Sequence, residues 1–89
     1  MRGFAGPEVA ILGSAMKLTD DLRRLGLKIK SSRVHAGLRQ IEVNEQTGLT
    51  YGHYQNIEAG KVNVTLETLH RLSVLHEVSI EDLVKSPQL

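Results

Sequence analysis

The 89-residue sequence has no cysteine and no tryptophan, and only two prolines, two tyrosines and one phenylalanine. Without cysteine, neither a disulfide framework nor a thiolate metal site can hold the chain together. With so few aromatics, a core must be built from Leu, Ile and Val. No apolar run is long enough to span a bilayer. The opening "MRGFAGPEVAILGSAM" comes nearest, but Pro7, Glu8 and Gly13 interrupt it, and it makes a poor signal peptide. There is also no phosphate-cradling glycine loop and no plausible pairing of a nucleophile with a base, which argues against an enzyme.

What remains is ordinary globular material. Hydrophobic residues make up 40% of the chain and charged ones 24%, enough for one domain but not for two. The net charge of +1 conceals a polarity. Residues 1–21 sum to −1, residues 22–63 to +4 and residues 64–89 to −2. A basic middle between acidic ends suits a molecule that turns one face toward an anion.

Apolar spacing predicts helices throughout, with no alternating strand and no internal repeat. Thr19 is placed to cap a first helix with Asp20 and Asp21 in its opening turn, where the helix dipole favours acids. Leu18, Leu22, Leu25, Ile29 and Ala36 form its stripe, and Gly37 ends it. "RQIEVNEQTG" predicts a second helix of barely two turns, stopped by Gly48. Thr50 caps a third of about nine residues, which buries Tyr54 and Ile57 and ends at Gly60. Thr65 caps a fourth with Leu66, Leu69 and Leu72 on its buried stripe. Ser79 caps a fifth containing Ile80, Leu83 and Val84, closed by Pro87.

Helices this short are unstable alone, so they exist to pack on one another. Residues 40–59 read as helix, a turn of about four residues containing Gly48, then helix, which is the helix-turn-helix arrangement. In that arrangement the second helix enters the DNA major groove, a channel about 12 Å wide whose base edges present mixed donors and acceptors. "TGLTYGHYQNIEAGK" supplies matching amide, hydroxyl and imidazole groups.

At these residues the sequence resembles the phage-repressor and Cro-like helix-turn-helix family of xenobiotic-response-element type. Gln40, Gly48, Leu49, Ile57, Glu58, Gly60, Lys61, Leu66, Glu67, Leu69, Val78, Ser79 and Leu83 fall where that family's pattern expects them. The resemblance runs from about Leu25 to Leu83. It implies an all-α, compact five-helix domain of lambda-repressor type acting as a DNA-binding transcriptional regulator. Met16 stands directly before the first helix, so residues 1–17 are expected to be an N-terminal extension, flexible or foreign to the domain, and residues 18–89 the DNA-binding domain.

The family's roles transfer position by position. Thr50, Tyr51, Gly52, His53 and Asn56 match its base-contacting residues. Arg39, Gln40, Gln55, Lys61 and Asn63 match positions at or near the phosphates, with Gln40 also bracing the recognition helix. Arg33 and Glu58 match a buried salt bridge between the first and third helices. Several positions depart from the pattern. Arg39 replaces a Ser or Thr cap, Asn44 a small Ala and Val64 a common Pro; Gly52 lacks a contacting side chain; and His76 and Glu77 replace Leu and Gly. Val74, Leu75, Val78 and Val84 are read as a dimer seam.

The expected partners are a double-stranded DNA operator and a second copy of the chain. No membrane, small-molecule substrate, cofactor or metal is expected, since His35, His53, His70 and His76 are not spaced to place two ligands on one helix face. Phage or plasmid repressor and restriction-modification controller share this chemistry. The alternative from another class is the antitoxin of a toxin-antitoxin pair, with a toxin protein as partner. The expected location is the cytoplasm.

Overall fold

The computed structural model describes residues 17–85, which form five helices and no strand. They are α1 (Leu18–His35), α2 (Gln40–Thr47), α3 (Tyr51–Glu58), α4 (Leu66–His76) and α5 (Ile80–Val84). The N-terminal extension and the closure at Pro87 lie, apart from Lys17, outside the described residues. No described helix is long and apolar enough to cross a membrane.

α1 begins earlier than the sequence suggests. The Lys17 carbonyl accepts from the amides of Asp20 and Asp21 at 3.0 and 3.1 Å, so Thr19 is already inside the helix and does not cap it. The other three caps are as expected. Thr50 Oγ1 accepts from the His53 amide at 3.2 Å, Thr65 Oγ1 from Thr68 at 3.1 Å and Ser79 Oγ from Asp82 at 3.0 Å. At Arg39, whose side chain has no acceptor, the cap is reversed. The Glu42 carboxylate takes the Arg39 amide at 2.7 Å and serves α2 from inside its first turn.

The core is Ile29, Val43, Tyr54, Ile57, Leu69, Leu72 and Leu83. One helix alone does not supply it, and α1 packs against α3, α4 and α5 while α2 packs against α3 and α4. Three stripe residues are displaced from the expected pattern. Leu18 and Leu66 are exposed because each opens its helix, ahead of the turns that neighbours cover, and Ala36 is exposed just past the end of α1. The buried stripe of α4 is instead Leu69, Leu72, Ser73 and His76, at offsets of three, four and seven.

His76 is therefore a core residue. It is 3% exposed, and neither ring nitrogen has a hydrogen-bond partner. Burial holds its pKa below the usual 6.5; nearby Glu58 opposes this and Arg33 reinforces it. The unfolded chain then binds a proton that the fold resists, so the stability is full above pH 6.5 and declines as the pH falls toward the folded value. Replacing the ring by an apolar side chain removes two unsatisfied polar atoms. His76→Leu is expected to raise stability by about 1–2 kcal/mol, and further in mildly acidic buffer. Urea denaturation at pH 7.5 and 5.5 checks it; equal stability of the two proteins at both values would contradict it. Beside it, Glu77 holds φ 59, the one positive φ outside glycine among the described residues.

Candidate nucleic-acid interface

The turn between α2 and α3 comprises residues 48–50. Gly48 takes φ 81 and ψ 2, a left-handed conformation that costs an L-residue about 1–2 kcal/mol and glycine nothing. Thr47 donates its hydroxyl to the Val43 carbonyl at 2.7 Å and accepts the Leu49 amide at 3.3 Å. Leu49 is half-buried against the core and pins the corner.

α3 is divided cleanly along its length. Tyr54, Ile57 and Glu58 are buried, while Tyr51, Gly52, His53, Gln55 and Asn56 are exposed. Eight residues rather than nine make the helix, and Ala59 and Gly60 (φ 73) unwind it. Lys61 and Asn63, both exposed, follow immediately, and the Lys61 amide donates to the Asn56 carbonyl at 2.9 Å. Thr50, at the head of the helix, is exposed as well, with its oxygen engaged in the cap.

The inner end of α3 is fixed by one carboxylate. Glu58 accepts from Arg33 Nε at 2.6 Å and Nη2 at 3.2 Å, from Gln40 Nε2 at 2.9 Å, and from the Tyr54 hydroxyl. Arg33 Nη1 donates to the Leu38 carbonyl at 2.8 Å, tying in the segment between α1 and α2. Burial pushes the Glu58 carboxyl up, but the hydrogen bonds from Arg33, Tyr54 and Gln40, with the Arg33 charge, outweigh it and leave the group below its usual range. Arg33 is raised by the same bond to Glu58, and Tyr54 is raised by burial and then by Glu58. The pair predicted from the sequence thus exists, with Gln40 and Tyr54 joined to it.

Gln40 links this buried cluster to the surface. Its amide nitrogen bonds Glu58, and its carbonyl oxygen receives the Tyr51 hydroxyl at 3.4 Å. One of its amide hydrogens stays free for a further acceptor. Arg39 is exposed beside it, 3.4 Å from Glu42.

Two glycines set how close α1 and α3 come. A Cβ on Gly26 would stand 2.5 Å from the Glu58 carbonyl oxygen and 2.6 Å from that of Ile57. One on Gly60 would stand 2.6 Å from the Arg23 Cα. Sequence reasoning misses Gly26 altogether; its only trace is a glycine inside a helical pattern, where a close backbone approach is one of the few reasons to keep it.

The candidate seam residues do not share one surface. Val74 and Leu75 line a groove with Gln46, Thr47 and Arg71; Val84 lines another with Leu18, Leu22 and Leu25; Val78 borders a third with Lys28 and Asp82. Val74 and Val84 are exposed, and Leu75 and Val78 are half-buried on the core. At Asn44, half-buried on α2, the side-chain oxygen is buried without a partner. The remaining histidines, His35, His53 and His70, are exposed on three different helices.

A short helix braced from behind, outward polar groups and a left-handed glycine turn ahead of it define a helix-turn-helix DNA-binding domain. The helix-turn-helix family model matches residues 29–83. The chain belongs to that family, in its Cro/C1-type form, and is a DNA-binding transcriptional regulator. Among solved structures it is similar to the restriction-modification controller protein C.AhdI from Aeromonas hydrophila, at 25% identity and a TM-score of 0.68, covering 72% of this chain and 97% of that one. Comparison with curated proteins found no match.

Proposed function

We propose that the chain is a cytoplasmic repressor or controller protein that binds a roughly palindromic operator as a homodimer. Its two α3 helices enter successive major grooves about 34 Å apart. The observation that carries this reading is the division of α3, with its polar outer face exposed and its inner face bonded through Glu58 to α1 and α2. The likeness to a restriction-modification controller protein, matched over 97% of its length, supports the role.

In this reading Tyr51, His53 and Asn56 read base edges, and Thr50 offers its methyl, its oxygen being taken by the cap. Gln40, through its free amide hydrogen, and Arg39, Lys61, Asn63 and Gln55 meet phosphates and set the register. Val74 and Leu75, or Val84, supply the contact between copies.

Selection of bound sequences from a random duplex pool tests the reading directly. It should return two half-sites related by a two-fold axis. On the selected site, Asn56→Ala should lose about 1–3 kcal/mol while nonspecific binding is nearly unchanged. Lys61→Ala should weaken all duplexes alike and lower the salt slope by about one. A pool that shows no enrichment, or two variants with indistinguishable effects on selected and random DNA, would refute the assignment.

A further inference from the structure

Five glycines lie among the described residues, and four have a reason within the fold. Gly37, Gly48 and Gly60 take positive φ, and Gly26 lies under the α3 carbonyls. Gly52 has neither reason. Its φ is not positive, it is exposed, and nothing stands within 4 Å of where its Cβ would be. Glycine is a poor residue inside a helix because it loses the most backbone freedom on folding. A helix of eight residues is least able to absorb that loss. For folding alone, alanine would serve better.

The position of Gly52 on α3 supplies the missing reason. Tyr54, Ile57 and Glu58 mark the buried side. At 3.6 residues per turn, Gly52 falls opposite them, with Gln55 and Asn56 one turn further along the same face. Tyr51 and His53 stand to either side, and all four of these neighbours are exposed. The outward face is therefore bare backbone in the first turn of the helix, framed by hydrogen-bonding side chains, a notch about one methyl group deep.

We infer that Gly52 is a specificity-determining residue, its notch receiving the C5-methyl of one thymine in the major groove. The inference rests on the DNA interface proposed above. The thymine methyl is the one apolar projection among the major-groove base edges, and it fits the open space where a Gly52 Cβ would stand. Gln55 and Asn56, next to the notch, address the adjoining polar edges.

The experiment combines Gly52→Ala with removal of the DNA methyl. The variant protein should melt about 3–8 °C higher, since nothing in the fold opposes the new side chain. On the selected operator it should bind about tenfold more weakly, the usual effect of one mismatched position. Random duplex at low salt should be bound within about twofold of the wild type. Replacing one particular thymine of each half-site by uracil should weaken the wild type and restore most of the variant's affinity. Gly52→Ala with unchanged affinity and base preference, or a loss that no single uracil relieves, would overturn the inference while leaving the operator reading intact. Failure of the wild type to select any sequence would remove both, and is distinguishable because it appears before any variant is made.

Discussion

Glu58→Ala is expected to cost about 3–5 kcal/mol, because it removes one side of a buried ion pair and strands the Arg33 guanidinium. The loss extends beyond that pair. Tyr54, fully buried, and Gln40 lose their acceptor at the same time. A domain of this size is stable by only about 5–15 kcal/mol, so a substantial unfolded population should appear on mild heating. Chemical denaturation followed by circular dichroism measures the effect, and a change under about 1 kcal/mol would refute the account. A second variant separates architecture from charge. Arg33→Met with Glu58→Leu replaces the pair by apolar groups of similar bulk, and such exchanges are often neutral. That double variant should recover the part of the loss that comes from the stranded guanidinium, while Tyr54 and Gln40 still lack their acceptor. It should not recover operator binding fully, since Gln40 would have no carboxylate to hold it.

Gly26→Ala should destabilise by about 2–3 kcal/mol, although alanine is the better helix former by about 1 kcal/mol. The sign is decided by what the new methyl meets. At 2.5 and 2.6 Å from two backbone carbonyl oxygens, it cannot be accommodated by turning a side chain. The helices must move apart instead. Separation of α1 from α3 also stretches the Arg33–Glu58 bond, whose 2.6 Å length depends on the same approach. Thermal melting of Gly26→Ala beside Gly52→Ala gives the sharpest comparison, as the same substitution in two helices is expected to act in opposite directions. Two shifts of one sign would mean that the spacing between α1 and α3 is not what Gly26 secures.

Much of this architecture is legible in the chain's residue order. The Gly48 turn, the caps at Thr50, Thr65 and Ser79, and the pairing of Arg33 with Glu58 each follow from residue type and spacing, the last through the family resemblance. These are local or patterned features. The start of α1 is not, because the Lys17 carbonyl takes bonds that a Thr19 cap would have required, and any residue has a carbonyl. The burial of His76 and the exposure of Leu66 invert their hydropathies, since position relative to neighbouring helices decides which side of α4 is covered. Gly26 is silent for the same reason: its role is defined by α3, which crosses it more than thirty residues later. At the interface, the outward residues of α3 are exposed as their polarity suggests, but the bond from Tyr51 to Gln40 depends on how α2 lies against α3. The scattering of Val74, Val78 and Val84 over separate grooves is likewise invisible in one dimension.

The attachment of α3 has an evolutionary corollary. Its fastenings lie at Tyr54, Ile57 and Glu58, whereas Gly52, His53, Gln55 and Asn56 make no side-chain bond to the rest of the domain. In the proposed reading, single codon changes at those four places would retarget the molecule to a new promoter without endangering its folding. Tyr51, leashed to Gln40, is the outer position where such drift meets resistance.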